Sequence, residues 1–456
     1  MKKKVLIIAY YFPPLGGGGV YRTLKFARYL PLFGWEPIIL TVSNPDHPLW
    51  DYSLLKEIPV DIQVYRVPTF GFSKWERKFF SLFKPGRNLK KETQKDRFST
   101  IKKVKIPLGS KLRSLLKRTY LFLTAGLRIP DEKIGWVPFA LVEALSLINS
   151  KKIDLIYVTS PPHSSHLVGL LLGKLTGKPW VADFRDDWLE QEQLISNYSN
   201  LRLRIERFLA TKVYANASFI IANSEYQKNT YQTNYPQAKR IEAIYNGYDA
   251  EDLDNARQKE ERWLDNKFHI CHCGYFYPKT AFPFFKVLKT LFLENPELKE
   301  KIQVDLVGYL EKEYRDWIIE NQLEETIKFW GFMEHQLSIS FLLKSHLLIY
   351  LIGSKENFWK GEVAGKLFEY FASGKPILAL APMNGESEKI IKQANSGWVF
   401  DPEDQQGIKD KLKEVYKLFL QAELKVEQNK LFIEGFERKN LTRRLGSLFE
   451  KCLAQK

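Results

Sequence analysis

A glycine and a lysine open a predicted helix at Gly365-Lys366, and Glu369 lies one turn on, on the same face. A lysine at a helix N-terminus stabilises a diphosphate, and a carboxylate one turn later accepts hydrogen bonds from ribose hydroxyls. A surface ion pair three residues apart would use the same two side chains and contribute little. Taken alone, the spacing leaves both readings open. A second cluster, Gly16-Gly17-Gly18-Gly19, follows an apolar run and opens a helix, so backbone N–H groups converge there. Such a loop suits an anion or a sugar hydroxyl, or simply a tight turn. It is not the G-x-G-x-x-G pattern followed by an acid, so a nicotinamide cofactor is not supported.

Three further groups have chemical potential. His269, Cys271, His272 and Cys273 resemble metal ligands, but strand alternation sends His272 to the opposite face from the other three. Tetrahedral zinc needs convergent ligands, so no metal is assigned there. His163 and His166 follow Pro161-Pro162 at a predicted helix start, where packing or capping explains them, with His163 able to face a cleft. Asp186-Asp187 is an acid pair of the kind that binds metal, and it too is left without one.

The elements that must position these residues alternate. Val5–Ala9, Glu36–Val42, Ile153–Thr159, Trp180–Phe184, Phe219–Ala222 and Ile241–Tyr245 read as strands, with helices near Val20–Leu32, Pro138–Asn149, Ser164–Leu175 and Asn200–Tyr214. The second half repeats the pattern. Its strands fall at His269–Cys273, Val304–Val307, Ile327–Trp330, Leu347–Leu351, Pro376–Ala379 and Trp398–Phe400. Polar Tyr245-Asn246-Gly247-Tyr248-Asp249 is a natural linker. The expected fold is α/β: two doubly wound, Rossmann-like domains with a cleft between the carboxyl ends of their sheets.

Composition narrows the class. The 456 residues, 45% apolar and 27% charged, exclude a mainly disordered chain and are enough for two or three domains. Three cysteines cannot build a disulfide framework, which points to a reducing, cytoplasmic setting. The basic and apolar N-terminus runs into Pro13-Pro14 and four glycines without a cleavage site, so it reads as a first strand rather than a signal peptide. No window offers the apolar run that a spanning helix needs. Net charge is +16, yet residues 71–128 alone hold seventeen Lys/Arg against three acids, or +14. Aromatics such as Phe72, Trp75, Phe79 and Phe83 interleave with those bases. That mixture suits an amphipathic segment on an anionic membrane surface. Nucleic acid would attract the same charge, but no nucleic-acid motif accompanies it.

In order and spacing the chain resembles the retaining GT-B glycosyltransferases of glycosyltransferase family 4. The matching pieces are VLIIAYYFPPLGGGGVYRTLKFARYL, TSPPHSSHLVGLLLGKLTGKPWVADFRDDW, YNGYD, CGYFYPK and GKLFEYFASGKPILAL. The resemblance implies an acceptor-side domain over 1–247, a nucleotide-sugar domain over 248–435, and a helix over 436–456 returning to the first domain. It implies that Lys279 and Lys366 hold the donor diphosphate and Glu369 the ribose, with Gly308 and Phe332 approaching phosphates and base. It places Gly16, Gly17, Gly18 and Gly19 against donor and acceptor, and assigns Asp183, Arg185 and Glu362 to the transferred sugar. Two positions depart from the family pattern. Gly361 stands where a first glutamate is usual, with Glu362 one residue late, and Arg185 stands where many relatives have histidine.

The implied reaction moves a sugar from a nucleotide sugar to a glycan or lipid-linked acceptor with retention of configuration, in surface polysaccharide or lipopolysaccharide synthesis. The nucleotide sugar is a substrate, and neither cofactor nor metal is required. The expected setting is the cytoplasm, peripheral to the inner face of the membrane. A sugar-nucleotide epimerase or a phosphorylase on the same fold is the alternative, and a basic nucleic-acid-binding protein is a weaker one.

Overall fold

The computed structural model describes the chain apart from residues 1, 46, 48, 71–127, 191–194, 197, 239, 259–262, 277–278, 354–356 and 455–456. The expected basic segment therefore lies, but for Arg128, outside the described residues. Two all-parallel sheets organise the rest. The first has seven strands in the order β3-β2-β1-β4-β5-β6-β7: β1 Lys3–Ile8, β2 Trp35–Val42, β3 Gln63–Val67, β4 Leu155–Ser160, β5 Trp180–Phe184, β6 Phe219–Ala222 and β7 Ile241–Ala243. The second has six, ordered β10-β9-β8-β11-β12-β13: β8 Phe268–Cys273, β9 Ile302–Val307, β10 Ile327–Gly331, β11 Leu347–Leu351, β12 Ile377–Leu380 and β13 Gly397–Phe400. Strand order reverses beside β1 and β4 in one sheet and beside β8 and β11 in the other. Ligands of open α/β sheets gather at such switch points, past the carboxyl ends of the strands. This is the two-domain GT-B architecture.

Helices cross over between strands: α1 Gly18–Tyr29, α2 Val137–Lys151, α3 Ser164–Thr176, α4 Asn200–Asn216, α5 Glu225–Asn234, α6 Ala250–Arg257, α7 Phe282–Glu294, α8 Lys312–Glu320, α9 His335–Lys344, α10 Lys366–Ser373, α11 Glu386–Ala394, α12 Gln405–Leu420 and α13 Arg438–Leu453. The central strands are apolar runs buried on both faces, as in Val5–Ile8 and Leu347–Leu351. Beside the linker the chain re-forms at once as α6, which packs on α9 of the second domain. The last helix, α13, sets Leu441, Leu445, Leu448 and Phe449 into the core of the first sheet, where Phe449 meets Trp35 edge-on at 5.1 Å. Two adjacent backbone crossings therefore join the domains, bridged by Tyr248 N–H to Phe436 O at 3.1 Å and Arg438 N–H to Tyr248 O at 2.7 Å. No described helix is long and apolar enough to cross a membrane.

Candidate active site

The glycine-rich loop leaves β1 at the switch point of the first sheet. Gly17, with φ of 100°, caps α1 without any side-chain help, and a Cβ on Gly18 would meet open space. The first turn of α1 is therefore bare backbone facing outward. Gly19 lies under the Arg185 guanidinium, which leaves no room for a side chain there.

That guanidinium has a structural task in the fold. Arg185 is buried and donates from Nε to Ser160 O at 3.0 Å, from Nη2 to Pro161 O at 2.9 Å and from Nη1 to Gly19 O. Each nitrogen gives one bond to a backbone carbonyl, so Arg185 ties the glycine loop to the end of β4. Asp183 has a structural task too. It is fully buried, its Oδ2 accepting from Tyr157 at 2.6 Å and Thr159 at 2.9 Å while Arg22 grips both oxygens. Oδ2 is saturated by these donors, while Oδ1 accepts from Arg22 alone. Nearby, Asp187 accepts from Gln227 at 2.7 Å and Tyr231 at 2.9 Å, with burial raising it to about 6. His163 lies flat on Trp188 at 5.2 Å, and burial pushes it down to about 4, so it is neutral at physiological pH.

The opposite wall is built by β8, β9 and α10. The backbone N–H groups of Gly365 and Lys366 have no partner among the described residues, because the first turn of a helix cannot satisfy them internally. Lys366 extends from that terminus and donates from Nζ to His272 Nε2 at 2.8 Å and to Tyr275 O at 2.9 Å. His272 Nδ1 lies 2.9 Å from Ile349 O, so it must be the protonated nitrogen, leaving Nε2 to accept from lysine. Burial pulls the Lys366 ammonium down to about 7, against the opposing pull of Cys273, Glu362 and Glu369.

Gly274 and Gly308 floor this corner. Their φ angles are 116° and 132°, and a Cβ on Gly308 would strike Gly274 O at 2.0 Å. Their own N–H groups already donate to Val307 O and Gly331 O, both at 2.8 Å. They supply room beside Lys366 rather than hydrogen bonds. Glu362 is half-buried near Lys366, its backbone carbonyl accepting from Ser387 at 2.7 Å. Lys279 is exposed, with a left-handed φ of 66°. Phe332 is 53% exposed past the end of β10, in company with the exposed rings of Tyr275 and Tyr309, which stack at 6.3 Å.

Glu369 accepts from His335 Nε2 at 2.8 Å. Burial raises its carboxyl, but His335 beside it more than compensates and leaves it below the usual range. Reading the sequence alone missed Arg22, His272, Gly274 and His335 as parts of the site. The Gly274 signal was within the matched CGYFYPK piece, and His272 was weighed only as a metal ligand. His269, from the same run, is spent inside the fold on Asp305 at 2.7 Å and Asp265 at 2.8 Å.

The two walls meet along α1. Lys25, 1% exposed, contacts Glu57, Asp249 and Asp252, each at 2.8 Å, and Arg28 pairs with Glu251 at 2.7 Å. A cavity of about 770 Å³ lies at the other end of the first sheet, lined by Gly173, Trp180, Arg240 and Cys452, and shares no residue with this cleft.

Comparison with known proteins agrees with this geometry. The family model described as Glycosyltransferase Family 4 matches residues 112–252, and the one described as Glycosyl transferases group 1 matches 256–430. The fold is GT-B, and two glycosyltransferase domain models match adjacent stretches of the chain. An uncharacterized glycosyltransferase of Methanocaldococcus jannaschii is 24% identical over 246 residues, or 53% of this chain and 61% of that relative. The chain thus aligns with less than two thirds of the curated relative's length. Sucrose-phosphate synthase from Thermosynechococcus elongatus superposes with a TM-score of 0.64 at 14% identity, covering 100% of both chains. Anabaena HepE, solved in complex with UDP and glucose, superposes with a TM-score of 0.59 at 17% identity, covering 98% of this chain and 100% of its own.

Proposed function

We propose that the chain transfers a sugar, with retention of configuration, from a nucleoside-diphosphate sugar to a glycan or lipid-linked acceptor in surface polysaccharide synthesis. One observation carries the donor half of this reading. The half-buried ammonium of Lys366 stands beside two helix N–H groups with no partner among the described residues and the glycine floor of Gly274 and Gly308, with Glu369 one turn further along the same helix. A diphosphate fits the ammonium and the N–H groups, and a ribose fits the carboxylate. The UDP and glucose held by the Anabaena fold neighbour support the same substrate class.

Breaking the sugar–phosphate bond places negative charge on the leaving diphosphate. Lys366, Lys279 and the N-terminus of α10 stabilise that charge as it develops, without a metal. The acceptor hydroxyl attacks from the face the diphosphate leaves, and its proton passes to the departing phosphate oxygen. Glu362, close enough to Lys366 to act on its charge, is the carboxylate assigned to the transferred sugar. Asp183 and Arg185 act instead by holding the glycine loop and β5 in place. The segment 71–128 attaches the enzyme to the inner face of the membrane, where a lipid-linked acceptor is presented.

The test is a thermal-shift panel of UDP, GDP, ADP and their sugars, followed by assays of sugar release and transfer with the stabilising donor. A ligand that binds only the folded state raises the melting temperature by linkage. A shift with one nucleotide family and acceptor-dependent transfer is the expected result. Interconversion of the sugar without any acceptor would establish an epimerase instead.

A further inference from the structure

Glu369 is held by one side chain. Among the described residues its only hydrogen bond is from His335 Nε2 to Oε1, at 2.8 Å, and Oε2 is left open. The His335 side chain is 12% exposed and that of Glu369 is 19% exposed, so the pair lies at the edge of the cleft rather than on the outer surface. His335 is the first residue of α9, four positions after Gly331, where β10 ends. Its other nitrogen, Nδ1, lies 3.8 Å from Asp252 Oδ2 on α6, beyond hydrogen-bond reach. From the first domain, the Tyr21 ring lies against the imidazole, with centroids 4.5 Å apart and planes tilted by 34°. Tyr21 follows the glycine-rich loop by two residues. The imidazole is thus fixed on one side by the helix that carries the loop, and it fixes the carboxylate on the other.

A carboxylate on a flexible stem binds a vicinal diol well only if its plane is already set. We infer that His335 is a positioning residue for Glu369: it holds Oε1 so that Oε2 and the remaining lone pair of Oε1 face the two ribose hydroxyls of the donor. This rests on the donor reading above and adds the source of ribose recognition. The Tyr21 ring, packed against the imidazole, keeps it from turning away.

The experiment compares UDP, GDP and ADP with their 2′,3′-dideoxy forms by calorimetric titration of the full chain and four variants. His335→Phe keeps a ring for Tyr21 and removes the hydrogen bond, whereas His335→Gln keeps an N–H donor. Glu369→Ala removes the carboxylate itself, and His335→Asn, whose amide falls short of Glu369, replaces His335→Phe should that variant not fold. The native chain should prefer the ribonucleotide by about tenfold, the scale of a hydrogen bond to a charged group. His335→Phe and Glu369→Ala should erase that preference while binding the dideoxy form as the native chain does, and His335→Gln should retain most of it. With a sugar donor, His335→Phe should raise KM and leave kcat nearly unchanged. If Glu369→Ala loses the ribose preference but His335→Phe keeps it, His335 has no positioning role. If His335→Phe weakens both forms equally, its role is only structural and the inference falls. If Glu369→Ala itself keeps the preference, or none of the nucleotides binds the native chain, the donor reading fails and takes this inference with it.

Discussion

Arg22 Nε lies 3.0 Å from Asp183 Oδ2 and its Nη2 lies 2.8 Å from Oδ1, a two-pronged pair in which neither residue is more than 1% exposed. The third prong, Nη1, donates to Tyr245 O at 2.7 Å, at the entrance to the linker. A single guanidinium therefore joins α1, the end of β5 and the crossing between domains.

The expected effect of Asp183→Asn follows from that burial. Removing one partner of a buried pair leaves an uncompensated charge and typically costs about 3–5 kcal/mol. The variant should unfold at a clearly lower urea concentration, while the folded fraction keeps its KM for donor. Equilibrium denaturation followed by circular dichroism measures this. Native stability combined with a collapse in kcat would show that Asp183 acts on the sugar after all.

What the sequence made legible depends on how local each cause is. The strands of both sheets were readable because their burial is written in contiguous apolar runs, and the pairing of Lys366 with Glu369 because one helical turn holds both. Strand β3 was not, since Gln63 to Val67 is an edge with only Val67 buried and no alternation to detect. Arg22 and Lys25 look like the wet side of an amphipathic helix, yet both are 1% exposed, because their partners at Asp183, Asp249 and Asp252 arrive from far along the chain. His335 is separated from Glu369 by 34 residues and gives no local sign of its partner. Asp183 and Arg185 were placed on the sugar by resemblance, whereas the fold spends them on its own backbone and on Arg22.

Lys366 should make nucleotide binding depend on pH. With its ammonium lowered to about 7 by burial, Lys366 is partly neutral in the free protein at neutral pH. A diphosphate favours the charged form, so binding raises that pKa and takes up a proton. Affinity should be full below about pH 6 and fall by up to about tenfold per unit as pH rises above about 7. Calorimetry with UDP, GDP or ADP in two buffers of different ionisation enthalpy reads the proton uptake directly. Lys366→Arg, always charged, should flatten the profile. A constant Kd across that range in the native chain would remove Lys366 from the diphosphate site.

Activity should survive EDTA. In the proposed reaction, charge on the leaving diphosphate would be met by Lys366, Lys279 and the N–H groups of Gly365 and Lys366, with no divalent ion. Initial rates with a donor sugar before and after chelation should agree within about twofold, a difference of under 1 kcal/mol in barrier. Loss of activity that manganese or magnesium restores would point to Asp186 and Asp187 as a metal site.

Membrane attachment is the last prediction, and it rests on the sequence of residues 71–128. That stretch holds +14 of the +16 net charge, and Phe72, Trp75, Phe79, Phe80 and Phe83 alternate with its bases. Each base near an anionic bilayer contributes about 1 kcal/mol, and the aromatics add apolar contact at the headgroup boundary. By composition, this segment is the part of the chain best suited to hold it at an anionic surface. A lipid diphosphate acceptor is itself anionic, so the same bases would draw it in. If instead the aromatics pack into a compact core of their own, the lysines would face water and no lipid would bind. Sedimentation with phosphatidylglycerol and phosphatidylcholine vesicles separates the two cases. The full chain should pellet with phosphatidylglycerol at low salt, stay in the supernatant with phosphatidylcholine, and detach as salt shortens the Debye length toward about 8 Å. A protein that remains in the supernatant with phosphatidylglycerol even at low salt has no such attachment, and the donor chemistry at Lys366 and Glu369 would then operate on an acceptor delivered from solution.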